Sequence, residues 1–270
     1  MPDNTEEKTI NKQTDFYPDE RFKEMVEAGV FYGRKKSKTH PRMRQYILST
    51  RNNIEIINLN KTVEYLETAL AFLKEKIRNG GLALFIGTEP AAAGVKDIAA
   101  EFNFPVVATR WLGGTLTNFQ IISKRIEYLK KLRNDLAAGA FEKYTKKERL
   151  MIEQELKRLI ELLGGLENLT ALPDVLIIID PVLHTTAVRE ARRLHIPIIA
   201  MVNTDGNPEL VDYPVPANTK ARLSINWFLG KVRDTIKEAK ALGPIQIQNA
   251  ESPAVENQKT QPVEGNGESN

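Results

Sequence analysis

The sequence predicts an α/β fold, a doubly wound parallel sheet of about five strands with an inserted antiparallel helical hairpin. Three observations lead there. Short uninterrupted apolar runs such as Val175-Leu176-Ile177-Ile178-Ile179 suit strands buried on both faces, whereas a half-exposed antiparallel strand would alternate. Segments with apolar residues at helical spacing separate these runs, so strands and crossover helices take turns along the chain. The alternation breaks once, from Thr117 to Leu163, where two amphipathic stripes follow each other with no strand between them.

Residues 1–17 are polar and unpatterned and read as a disordered tail. Pro18 to Ala28 carries Phe22, Met25 and Val26 at helical spacing and stops at Gly29, a suitable C-terminal cap, so a short first helix is expected. Ile54 to Ile57 reads as the first strand. From Asn60, Val63, Leu66, Leu70 and Leu73 line a helix that ends at Asn79-Gly80-Gly81. Strand Leu82 to Ile86, a helix from about Pro90 to Phe102 and strand Val106 to Ala108 complete the first part of the sheet domain, residues 18–116.

The insertion covers residues 117–163. Phe119, Ile122, Ile126, Leu129 and Leu136 form one stripe, and Ile152, Leu156, Leu159 and Leu163 form another at 4, 3, 4 spacing, the pattern of a coiled coil. Gly139 breaks the pattern between them, and Thr145-Lys146-Lys147-Glu148 spells a capping box whose hydroxyl takes an orphan amide while Glu148 reaches back. Residues 164–242 resume the sheet domain with strand Val175 to Ile179, a helix near Leu183 to Leu194, strand Ile198 to Val202 and a closing helix from about Asn218 to Ala241. Residues 243–270, rich in Pro, Asn, Gln, Glu and Gly, read as a second disordered tail.

Composition narrows the function classes. With 41% hydrophobic and 27% charged residues, the 270-residue chain is an ordinary soluble globular protein. It has no Cys, which excludes disulfides and thiolate metal sites and fits a reducing compartment. The N-terminus lacks the apolar core of a secretory signal, and no run approaches the ~18 apolar residues that span a bilayer, so a cytoplasmic location without membrane contact is expected.

The net charge of +3 hides an uneven distribution. Between Phe31 and Arg51 stand Arg34, Lys35, Lys36, Lys38, Arg42, Arg44 and Arg51, with no Asp or Glu among them and with Tyr32, His40 and Tyr46 interleaved. Solubilising charge is normally mixed in sign, and this run holds too many apolar residues for a solvated tail. It therefore reads as an ordered surface segment whose charges converge on a polyanion, nucleic acid first. Since each neutralised phosphate releases about one counterion, such binding would depend steeply on salt. Arg51-Asn52-Asn53 can hold a backbone or base edge, or simply make a turn.

A second candidate is Arg110-Trp111-Leu112-Gly113-Gly114-Thr115-Leu116-Thr117-Asn118, which follows the third strand, at the edge where open α/β sheets bind ligands. Arg110 and Trp111 offer charge and a stacking face, and Thr117 or Asn118 can cap the next helix. The same residues would equally serve a tight entry into the helical pair with Trp111 in the core. The hairpin has eleven basic and seven acidic residues, a solvated face that could also touch RNA or a neighbouring protein.

Enzymatic readings find less support. Neither G-x-G-x-x-G nor G-x-x-x-x-G-K-[ST] occurs, and Glu89 in Ile86-Gly87-Thr88-Glu89-Pro90 puts an anion where a phosphate would sit. Asp180-Pro181 and Asp205-Gly206-Asn207-Pro208 suit turns and helix starts better than a shared acid pair. His40, His184 and His195 are scattered, without a second ligand at metal spacing. The leading expectation from the residues alone is a protein that binds a polyanion, nucleic acid first, with no catalytic residue, cofactor or metal. A nucleotide-dependent enzyme with its site at the C-terminal sheet edge is the alternative, and a scaffold whose hairpin binds a protein comes next.

Many ordered motifs resemble one family, the bacterial-type ribosomal protein S-two of the small subunit. They are Glu27-Ala28-Gly29-Val30 with Gly33, His40-Pro41-Arg42-Met43, Tyr46-Ile47, Arg51-Asn52, Ile56-Ile57-Asn58-Leu59-Asn60-Lys61-Thr62 and the Arg110 to Asn118 loop. Leu163-Gly164-Gly165-Leu166, Leu172-Pro173-Asp174, Ile179-Asp180-Pro181, Ala187-Val188-Arg189-Glu190-Ala191, Ile196-Pro197 and Asp212-Tyr213-Pro214-Val215-Pro216 continue the match, which covers roughly residues 18 to 240. The resemblance implies a flavodoxin-like sheet domain carrying a coiled-coil hairpin and a non-catalytic role in translation. It further implies binding to small-subunit rRNA and to neighbouring small-subunit proteins, including the large mRNA-gathering protein S-one, with no second copy of this chain. Arg34, Lys35, Lys36, Lys38, His40, Arg42, Arg44, Arg51, Asn52, Arg110, Trp111 and Asn118 are the expected RNA contacts, with Tyr32 or Trp111 stacking on bases. Where the family often has His-Phe-Gly-His this chain has Phe31-Tyr32-Gly33-Arg34, so no zinc is expected; Glu89-Pro90 replaces two lysines, and Gly206 a cysteine.

Overall fold

Two sheets organise residues 22–243, the part of the chain that the computed structural model describes. The expected tails lie outside the described residues, apart from Gly243. Helix α1 (Lys23–Glu27) leads into β1 (Tyr32–Lys35), β2 (Ile47–Arg51) and β3 (Ile54–Ile57), which form a small antiparallel sheet in the order β1-β3-β2. Asn52 and Asn53, at φ 49° and 61°, turn the β2–β3 hairpin, with Arg51 paired to Ile54 across it. Two residues with positive φ are what a two-residue hairpin loop requires, and Asn tolerates that region better than most side chains.

The chain continues through α2 (Leu59–Arg78), β4 (Ala83–Ile86), α3 (Gly94–Phe102), β5 (Val106–Val107), α4 (Phe119–Ala137) and α5 (Lys146–Leu163). It closes with β6 (Val175–Ile179), α6 (Thr185–Arg193), β7 (Ile198–Val202), β8 (Tyr213–Pro216) and α7 (Arg222–Leu242). Strands β4 to β8 form an all-parallel sheet in the order β5-β4-β6-β7-β8. Ranked along the chain, that order is 2-1-3-4-5, the flavodoxin-like arrangement.

Side chains of the sheet alternate between two cores. Phe85, Ile177, Met201 and Val215 join α2, α3 and α7 on one face, while Leu84, Ile178, Ala200 and Val202 join α4, α5 and α6 on the other. All five residues of β6 and all five of β7 are buried, as uninterrupted apolar strands require.

The five-strand expectation holds with one exchange of members. Ile54–Ile57 belongs to the small antiparallel sheet, and the fifth parallel strand is β8, Tyr-Pro-Val-Pro. Two prolines lack ladder donors and disguise a strand as a loop. They are tolerated because β8 is an edge. Its pairing supplies the geometric detail: the Ala217 amide donates to Val202 O at 3.0 Å, so the alternating inward amides are those of the odd-numbered residues, and Pro214 and Pro216 fall on the outward phase. On that side Thr62 Oγ1 of α2 donates to Pro216 O at 2.7 Å.

Helices α4 and α5 lie on the two predicted stripes. Ile122, Ile126, Leu129 and Leu132 of α4 and Leu156 and Leu163 of α5 enter the second core, and Tyr128 OH donates to Glu155 across the pair at 3.4 Å. The capping box forms: Thr145 N donates to Glu148 Oε2 at 2.9 Å, and Glu148 N donates to Thr145 Oγ1 at 3.4 Å. Among the described residues no helix is long and apolar enough to cross a membrane.

Candidate nucleic-acid interface

The basic segment is a built arm. Arg34 and Lys35 lie on β1, Lys36 and Lys38 on a 3-10 turn, Arg42 and Arg44 on a second turn spanning Pro41–Tyr46, and Arg51 ends β2. Met43 and Tyr46 are buried in the second core beside Trp111 and Leu116, so the arm and the Arg110 to Asn118 loop rest on shared packing. The arm is also lashed to the loop after β7. The Arg34 amide donates to Thr204 Oγ1 and the His40 amide to Thr204 O, both at 2.8 Å. Beneath it the buried carboxylate of Glu55 accepts from Thr50 Oγ1 at 2.6 Å and from Thr39 Oγ1 at 3.4 Å.

This scaffold sorts the seven cations. Lys35, Lys36, Lys38 and Arg44 are exposed and make no ion pair with other described residues. Arg34 is half-buried, its Nε 3.2 Å from Asp205 Oδ2, and Arg42 pairs with Glu209, so two arginines face carboxylates of the loop after β7. Arg51 and Asn52 are exposed at the hairpin turn. His40 Nδ1 accepts from the Arg42 amide at 3.3 Å and caps the second 3-10 turn, a structural duty that its composition did not disclose. Tyr32 packs on the first core with its ring 4.2 Å from that of Phe31.

In the second candidate segment Arg110 and Asn118 are exposed, but Trp111 is not. It is 9% exposed and its Nε1 donates to Glu190 Oε1 at 3.0 Å. The expected stacking face is therefore part of the core, because a large indole gains most by burial when its N–H finds an acceptor.

Glu190 is the residue that motif reading passed over. Its buried carboxylate also accepts from the amides of Gly114 at 2.8 Å, Leu116 at 3.0 Å and Thr117 at 3.2 Å, and from Thr117 Oγ1 at 3.2 Å. Burial alone would raise its pKa, but the Trp111 donor and the three amides outweigh burial and hold the carboxyl below its usual value. A signal existed in the sequence: Glu190 lies one helical turn from Ala187 and beside Ala191, on the face of α6 that points inward, and a charge there needs partners.

The ligand crevice expected of the fold lies between β4 and β6, where the strand order reverses. It is occupied by this chain's own ions. Lys220 Nζ stands 2.6 Å from Glu89 Oε1 and 2.9 Å from Asp180 Oδ2, and Thr219 Oγ1 donates to Asp180 Oδ2 at 3.0 Å. Burial pulls the Lys220 pKa down, but the two carboxylates more than offset it and the pKa is raised. Nearby His184 is buried, which lowers its pKa despite Asp180 and Glu89, and its Nε2 has no partner among the described residues. Asp180 and Asp205 thus serve separate cations. Among the described residues no group of three or more His, Cys, Asp or Glu side chains is arranged to hold a metal ion.

The family described as Ribosomal protein S2 matches residues 25–239. The chain is 40% identical over 223 residues to the small ribosomal subunit protein uS2 of Dehalococcoides mccartyi strain BAV1, covering 82% of this chain and 91% of that protein. The same identity and coverage hold for the uS2 protein of strain CBDB1.

Proposed function

Because the chain belongs to the ribosomal protein S2 family and so has a structural role in the small ribosomal subunit, we propose that it holds rRNA through the basic arm, with loop 110–118 as a second contact. The location that follows from the family is the cytoplasmic ribosome. The observation that carries the proposal is the arm itself: four exposed cations with no ion pair among the described residues, on a backbone clamped to the loop after β7. Clamped cations meet phosphates with little further ordering cost, and phosphate contacts fix position and orientation on folded RNA.

Lys35, Lys36, Lys38 and Arg44 are the principal phosphate contacts, joined by Arg51, Asn52, Arg110 and Asn118. Arg34, Arg42 and His40 shape the arm first and contact RNA second. Helices α4 and α5, residues 117–163, form a secondary contact to RNA or to neighbouring proteins, the large protein S-one included, and one copy of the chain serves each subunit. No catalysis is assigned. Two features support that: the crevice at the strand reversal is filled by Lys220 between Glu89 and Asp180, and the amides of loop 114–117 are taken by Glu190. Nucleotides should accordingly leave the melting temperature unchanged.

The test is charge reversal. Lys35→Glu, Lys36→Glu and Lys38→Glu together should abolish incorporation into small subunits while the thermal transition is kept. Normal incorporation would refute the arm as the main contact.

A further inference from the structure

We propose that Glu190 is a positioning residue for RNA binding: its carboxylate sets the loop conformation in which Arg110 and Asn118 are presented. This rests on the reading of loop 110–118 as an RNA contact. Every hydrogen bond that Glu190 accepts comes from this one loop, and no Lys or Arg pairs with it among the described residues. Its charge is balanced by loop dipoles, the arrangement by which a row of amides cradles a phosphate.

The two oxygens divide the work. Oε1 takes the Trp111 indole and the Gly114 amide, and Oε2 takes Leu116 and both donors of Thr117, so one carboxylate ties the start of the loop to its end. Between them Gly114 adopts φ 88°, and its carbonyl accepts from the Asn118 amide at 2.8 Å. Arg110 precedes Trp111, and Asn118 follows Thr117. Each exposed contact is thus one residue from a group that Glu190 holds.

A Glu190→Gln side chain keeps one acceptor oxygen and turns an N–H₂ donor toward amides that already donate, so one half of the loop loses its anchor. Binding to a small-subunit rRNA transcript is measured for the native chain, Glu190→Gln, Arg110→Ala, Asn118→Ala and the Glu190→Gln/Arg110→Ala double variant, with thermal melts confirming folding. The expected result is an affinity loss of about tenfold for each single change, with Arg110→Ala costing less than about twofold in the Glu190→Gln background, because an unpositioned arginine has little to lose. Losses that multiply would overturn the inference while leaving the loop as a contact. If neither Arg110→Ala nor Asn118→Ala weakens binding in the native chain, the loop is no RNA contact and both readings fall. Should Glu190→Gln show no cooperative transition, Thr117→Val, which removes one of the five donors from the opposite side, enters the same cycle under the same criteria.

Discussion

Gly33 occupies a place where a single methyl group has no room. A Cβ there would lie 2.6 Å from Thr204 Cγ2 and 2.9 Å from Glu55 O, between the arm and the two elements that anchor it. Gly33→Ala must push β1 away from Thr204, which should lower stability by about 1–3 kcal/mol in thermal melts and weaken RNA binding with it. Acid sensitivity also belongs to single residues. His184, faced by Asp180, Glu89 and Lys220, titrates below its ordinary 6.5, and Glu190 below its ordinary 4.5. Both bind protons more readily in the unfolded chain, so their stabilisation is complete above 6.5 and is lost on acidification, first through His184 and then, below 4.5, through Glu190. Melting temperature should fall as pH decreases below 6.5, and His184→Gln should lessen the part of the fall that sets in above 4.5. At this scale the sequence was legible for charge but not for duty. The seven cations could be read off the chain, yet nothing local distinguishes Arg34, held by Asp205, from Lys35, or announces that Trp111 turns inward to a carboxylate 79 residues away.

Elements were legible wherever periodicity or a cap reports on local geometry. The stripes of α4 and α5 and the Thr145–Glu148 box are written within one or two turns of chain, and the structure forms them in place. Glu148→Ala should leave the Thr145 amide without its acceptor and fray the start of α5, seen as a lower melting temperature and a small loss of helical signal. Sheet membership was harder, because it depends on partners distant in sequence. Ile54–Ile57 has the composition of a parallel strand, but Asn52-Asn53 immediately before it makes the tight turn that commits it to β2. Parallel neighbours need a long crossover, so that two-residue link already favoured an antiparallel pair. β8 was invisible for the opposite reason, since its prolines argue against a strand anywhere except an edge.

For the whole molecule, the basic arm and loop 110–118 share a core, Met43 and Tyr46 of the one and Trp111 and Leu116 of the other being buried in the same cluster, while Phe31 and Tyr32 at the start of the arm join the core on the opposite face of the sheet. The free energy of RNA binding should then be dominated by counterion release from the exposed cations. With four of them making no ion pair among the described residues, the log–log dependence of affinity on salt should have a slope of roughly −3 or steeper, and Lys36→Gln should make it shallower by about 0.7–0.9. Titration of binding against KCl checks both values; an unchanged slope would remove Lys36 from the contact.

The prolines of β8 have a consequence beyond their place in the fold. An open sheet invites other chains to add strands at its borders, a route to aggregation. Here one border strand, β5, is only two residues long, and the other turns Pro214 and Pro216 outward, where no amide remains to recruit a newcomer, while Thr62 occupies the Pro216 carbonyl. The strongly pairing β6 and β7 are therefore enclosed between borders that give a stray strand almost nothing to hold.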